Sequence, residues 1–123
     1  MNFIVCGDFD DRKVFEKAMA KIDFPDDTAF ISLHNGRTDM LAESYGKFRN
    51  FKVYVFHKHD EYEERADTIR ELEALYNADA LIAFWEGKDK RTGHLIETMK
   101  NLRRQVLVFD YYGNVLGFYK GGS

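Results

Sequence analysis

Five short apolar runs punctuate this chain: NFIVC (2–6), TAFISL (28–33), KVYVF (52–56), ADALIAFW (78–85) and QVLVFD (105–110). A stretch of helical periodicity separates each run from the next, and no other feature constrains the fold as tightly. Each run has strand length and is rich in branched and aromatic residues. Parallel neighbours need a crossover of a dozen or more residues, and an amphipathic helix supplies it. The pattern predicts an α/β fold: a Rossmann-like, doubly wound, mainly parallel sheet of about five strands, with helices on both faces. After the last run, YYGN turns the chain into VLGFY, a short C-terminal antiparallel edge strand.

The helical stretches carry their own stripes. Residues 11–22 put Val14, Phe15, Ala18, Met19 and Ile22 on one face, and residues 38–48 do the same with Met40, Leu41, Tyr45 and Phe48. A long helix near 61–77 aligns Tyr62, Ala66, Ile69, Leu72 and Tyr76, with charged pairs such as Glu61–Arg65 on its solvated side. Residues 92–104 read as a fourth helix. The 123 residues suit one domain over 1–120, with Gly121-Gly122-Ser123 as an appended tail. A 45% hydrophobic content with 11 Phe and 7 Tyr excludes a disordered segment.

Several function classes drop out. A formal net charge of −3 lacks the basic surface of a general nucleic-acid binder, so no nucleic-acid partner is expected. No apolar run approaches membrane-spanning length and no secretory leader precedes the first strand, so no membrane partner is expected. The single Cys cannot close an internal disulfide and suits a reducing compartment; the expected location is cytoplasmic.

In an open parallel sheet, ligands sit beyond the carboxyl ends of the strands, where the strand order reverses. Three loops emerge there. CGDFDDRK follows the first strand, with Gly7 for a tight turn and Asp10 or Asp11 able to cap the helix. HNGRTD follows the second, with Gly36, Arg37 and Thr38 at the head of a helix. EGKDKRTG (86–93) follows the fourth and holds three cations between two glycines. Helix N-termini favour phosphate or carboxylate, and Arg37, Lys88, Lys90 and Arg91 could add full charges. Solvated turns with caps are the alternative.

These stretches resemble the SLOG superfamily, which includes the Lonely Guy phosphoribohydrolases and the DNA-uptake protein DprA, with most in common with its small YspA/YpsA-related branch. FIVCGDFDD matches the opening strand and its glycine turn. HNGRTDMLA (34–42) matches a Gly-Gly-Ala-x-Gly-Ala-Asp loop followed by Leu-Ala. IRELEALYNADALIAFW carries, at Arg70, the Arg of an Arg-Asn pair. WEGKDKRTGHLIE matches a Trp-x-Gly-x-Ser-x-Gly-Thr loop. The resemblance spans nearly the whole chain and implies a Rossmann-like domain that binds nucleotides or nucleotide-derived molecules. The loops and the resemblance together give a candidate binding site of Cys6, Gly7, Asp8, His34, Asn35, Gly36, Arg37, Arg70, Trp85, Gly87, Lys88, Lys90, Arg91, Thr92 and His94.

The chain departs from that pattern at telling places. Asp8 replaces a second Gly, Glu71 replaces the Asn after Arg70, and Arg91 replaces the Gly before Thr92. The second loop is one residue short and keeps only Gly36. The Lonely Guy enzymes carry a Glu for N-glycosidic cleavage where this chain has Leu95. Such cleavage needs carboxylates to move protons and stabilise an oxocarbenium-like state. Asp8, Glu86 and Asp89 are the nearby candidates to substitute.

Other residues leave alternatives open. Trp85 either stacks on a base or sugar or belongs to the core. His94 either touches a phosphate or stays exposed, and His34 bonds a ligand or its own turn. Cys6 reads as a packed thiol rather than a nucleophile. FHKHDEYEE holds His57, His59, Asp60 and Glu61, whose spacing could chelate a metal, but a solvated loop is the commoner meaning and no metal or cofactor is expected. Tyr111 and Tyr112 read as edge packing or part of a subunit contact. The leading function is binding of an ADP-ribose-like or cyclic nucleotide signal as a sensor or sequestering sponge, as in a phage protein countering host signalling. The alternative is a small nucleotide hydrolase or phosphoribohydrolase. Surplus apolar helix residues, including Phe15, Met19, Phe24, Met40, Tyr45, Phe48, Tyr62 and Tyr76, predict a homodimer or higher homo-oligomer built on the 61–77 helix.

Overall fold

A computed structural model describes residues 1–56 and 64–122, with side chains at all of these except 64–70. Along the chain run β1 (Asn2–Gly7), α1 (Arg12–Met19), β2 (Ala29–Ser32), α2 (Arg37–Phe48), β3 (Lys52–Val55), α3 (Glu64–Asn77), β4 (Ala80–Phe84), α4 (Lys90–Asn101), β5 (Gln105–Phe109) and β6 (Val115–Tyr119). The sheet order is β3-β2-β1-β4-β5-β6, with β1 to β5 parallel and β6 antiparallel on the edge. Winding starts at β1, goes outward through β2 and β3, then returns to β4 on the other side of β1. The switch point therefore lies between β1 and β4, where Cys6 pairs with Ala83 and Gly7 with Phe84. This is the doubly wound, Rossmann-like architecture that the alternation predicts.

Strand alternation divides the core in two. Phe3 and Val5 of β1 point to the α1/α2 face, with Phe15, Met19, Phe30, Ala42, Phe84 and Phe109. Ile4 and Cys6 point to the α3/α4 face, with Ala74, Leu75, Leu81, Ala83, Leu95 and Met99. The first layer is aromatic: Phe84 stacks on Phe9 at 5.1 Å and on Phe109 at 5.2 Å, and Phe30 meets Phe24 edge-on at 5.5 Å. Most of the phenylalanines are absorbed in this way. Among the described residues, no helix is long and apolar enough to cross a membrane.

Three helices depart from the sequence reading, α1 by ending at Met19, short of residue 22. The buried stripe of α2 is Thr38, Asp39, Ala42 and Gly46, while Met40 is half exposed and Phe48 is 81% exposed. Small residues win that face because the helix lies close to the sheet: a Cβ on Gly46 would come within 2.7 Å of Val53 Cγ2. The fourth helix ends at Asn101, short of residue 104, because Arg103 takes a left-handed φ of 60°. The Arg104 N–H then reaches back to the Met99 carbonyl at 3.0 Å, closing the end as a Schellman turn. Leu72 and Tyr76 of α3 are exposed, but Met40 and Phe48 sit on the opposite face of the sheet, so these do not merge into one patch. Tyr62 and the His57-His59-Asp60-Glu61 group lie outside the described residues.

Candidate functional site

The carboxyl ends of β1, β2 and β4 meet over a cleft of about 260 Å³ at the switch point. Its lining comes from the β1 end (Cys6, Gly7, Asp8), from the β2–α2 loop and first turn (Asn35, Gly36, Asp39), and from the start of α4 (Asp89, Arg91, Thr92, Leu95).

Close backbone approach builds the first wall. Gly7 has φ +146° and sits where a Cβ would lie 2.6 Å from the Phe84 carbonyl oxygen. Gly36 is tighter, since its Cβ would fall 2.2 Å from the Gly7 oxygen. Thr38, fully buried, fastens the two loops together: its hydroxyl donates to the Phe9 carbonyl at 2.8 Å and accepts from the Phe9 N–H at 3.0 Å. Asp11 caps α1 by accepting from the Val14 N–H at 3.2 Å. Its neighbour Asp10 binds Arg37 instead. That arginine is engaged at the rim, with Nε on Asp8 Oδ1 at 3.1 Å, Nη1 on Asp10 Oδ2 at 3.1 Å and Nη2 on the Asp8 carbonyl at 3.2 Å.

Asp39 is the lining residue that sequence reasoning passed over. It is 2% exposed, and its carboxylate accepts the Asn35 N–H at 3.1 Å. Burial pushes its pKa up to about 6; the Asn35 and Gly36 N–H groups and the Arg91 charge pull it back, and Glu43 pushes it up again. The available signal was its position three residues after Gly36, where an acid folds back over a helix start. Beside it, Glu43 accepts from Ser32 Oγ at 2.8 Å and binds His34 Nδ1 at 2.8 Å. His34, with φ 54°, thus sits next to the cleft without lining it.

The second wall is looser. Asp89 precedes α4 and accepts the Thr92 hydroxyl at 2.5 Å. Arg91 reaches across to Asn35, whose amide oxygen accepts from the guanidinium, and lies 3.9 Å from Glu71. Gly87 has φ +92° and open space around it. Trp85 donates its indole N–H to the Asp89 carbonyl at 2.9 Å and packs under Gly93 against the aliphatic core, outside the cleft lining. Lys88 and Lys90 are exposed and also outside the lining. Lys90 and His94 instead border a neighbouring groove of about 390 Å³ between α3 and α4, which Arg91 shares. The Arg70 side chain lies outside the described residues.

On the cleft floor, Leu95 is buried at the position where the Lonely Guy pattern has its Glu. The Cys6 thiol is buried too, and desolvation, then the Asp39 charge, raises its pKa well above the ordinary value. It is a protonated thiol, unsuited to nucleophilic attack. Asp8 and Asp89 do share the cleft, whereas Glu86 is exposed outside its lining. Among the described residues, no group of three or more His, Cys, Asp or Glu side chains could hold a metal ion. The arrangement is suited to holding a small polar molecule by hydrogen bonds. The chain matches no protein-family model, no curated protein and no solved structure; it is a doubly wound, Rossmann-like α/β domain with a polar cleft at its switch point.

Proposed function

We propose that this domain binds a nucleotide or nucleotide-derived small molecule in the switch-point cleft, as a sensor or a sequestering protein. One observation carries the reading. All ten lining residues fall within FIVCGDFDD, HNGRTDMLA and WEGKDKRTGHLIE, three of the stretches that resemble SLOG proteins, and they converge where an open α/β sheet binds ligands. Mass spectrometry of small molecules released from natively purified protein tests it. Recovery of a nucleoside-containing compound in near-equimolar amount is the expected result. A nucleotide panel that neither co-purifies nor raises the melting temperature would remove the reading.

A hydrolase is the second reading, and Asp39 favours it. A carboxyl with its pKa raised to about 6 shares one cleft with Asp8 and Asp89, and carboxyls in unlike environments are how acid and base roles become separated. Product formed in excess over protein would establish catalysis; stoichiometric retention of intact ligand favours binding. The same proposal includes a homodimer through α3, whose Leu72 and Tyr76 are exposed. Light scattering should then give about twice the 14.4 kDa chain mass.

A further inference from the structure

The two edges of the sheet are finished differently. β3 carries the exposed Lys52, a charge of the kind that keeps an edge from pairing. Around β6 the chain has no charged residue from Tyr111 to Tyr119, and Val115, Leu116 and Phe118 are 58%, 56% and 61% exposed. The strand register explains that exposure. Phe118 pairs with Leu107 and Val115 with Phe109, which places both on the α1/α2 face. On this face α2 lies over β2 and β3, with Gly46 against Phe30 and Val53, and α1 meets the β5–β6 turn, with Gly113 against Val14. The other two helices pack on the opposite face, so among the described residues no helix covers the rest of β5 and β6. An apolar groove of about 210 Å³ is left there, lined by Met1, Phe3, Ile22, Ile82, Leu107 and Phe118, with Asp23 and Gln105 as its polar residues.

We propose that two copies of this chain pair through this face, each placing Phe118 in the other's groove. The groove is smaller than the roughly 300–1,000 Å³ of small-molecule pockets, so a side chain is the occupant of matching size. Plug and groove belong to one patch, because Phe118 is both exposed and part of the lining. A patch that complements itself closes under a two-fold axis, whereas a plug and a groove on separate surfaces would build open chains. The area also suffices. The three exposed side chains, Leu107 and the groove mouth offer roughly 500 Å² per chain, so a pair removes about 1,000 Å², the lower limit of a specific interface. The register shift between Val108 and Phe109 bends β6, which opposes adding a strand at its edge, so the copies meet face to face. This contact lies across the sheet from α3 and at the opposite end of the strands from the cleft, and it does not depend on what the cleft binds.

Sedimentation equilibrium of the full chain over roughly 1–500 μM tests the pairing. Tyr76→Glu, at an exposed position of α3, removes association through that helix and should still give a dimer of 14.4 kDa chains with a micromolar dissociation constant. Adding Phe118→Glu should raise that constant at least about tenfold, and adding Val115→Glu instead should do the same. Both positions are exposed, and an unchanged circular dichroism spectrum verifies the fold of each variant; either substitution decides the question if the other misfolds. A Tyr76→Glu chain that stays monomeric throughout the range, or pairing that neither added substitution weakens, overturns the inference. Neither result touches nucleotide binding.

Discussion

The β2–α2 and β4–α4 loops flank the same cleft and each carries a glycine, a threonine and an aspartate, yet one is wedged and the other is open. In the first, Gly36 leaves no room for a Cβ, Thr38 is fully buried with two hydrogen bonds to Phe9, and Asp39 is 2% exposed. In the second, Gly87 faces open space, and Thr92, also buried, donates its hydroxyl to the half-buried Asp89. The same residue types thus do different work. On the β2–α2 side they set the backbone of the site against β1. On the β4–α4 side they leave an uncrowded turn, and Arg91 is the residue that spans the gap.

The sharpest way to break this contrast is Gly36→Ala. A methyl placed 2.2 Å from a backbone oxygen forces the β1 and β2 loops apart, and the expected loss is about 3 kcal/mol of unfolding free energy from urea midpoints. Equal losses for Gly36→Ala and Gly87→Ala would refute the distinction.

Next in size is the pH dependence of Asp39. Its folded pKa of about 6 lies above the ordinary value of 3.8, so the protonated form favours the folded state. Its contribution is fully present below the unfolded value, declines as the pH rises towards 6, and is gone above that. The difference across this window should be roughly 2–3 kcal/mol, read from denaturant melts at stepped pH. Asp39→Asn should flatten the profile between those limits; a wild-type-like slope in the variant would show that another group titrates there.

A smaller effect separates the threonines. Thr38→Val leaves the Phe9 N–H and carbonyl buried without that partner and should cost about 2 kcal/mol, while Thr92→Val should cost about 1 kcal/mol or less. Gly87→Ala, where only the positive φ is strained, should likewise cost no more than about 1 kcal/mol. If ligand binding nevertheless falls sharply in Gly87→Ala while stability hardly moves, the open wall closes on the ligand through that turn.

Much of this was legible along the chain. The five apolar runs and the final VLGFY are the six strands, because strand length, branching and fully apolar composition are local properties that a buried sheet requires. The loops at the sheet's carboxyl edge were legible for the same reason: once strands alternate with helices, their connections must fall at defined ends. The face of α2 was not. Large apolar residues usually mark the buried stripe, but Ala42 and Gly46 hold it here because helix-to-sheet distance is set by both partners.

Within the site, the sequence by itself determined which segments meet, since a doubly wound order of strands brings the ends of β1, β2 and β4 together. Only the tertiary structure decided which charges remain available. Arg37 is drawn to Asp8 and Asp10 across a span of 27 to 29 residues, and Asp39 becomes buried when β1 and α2 close over it. Pairing and desolvation depend on distances between segments remote in the chain, and those distances exist only after the sheet has formed.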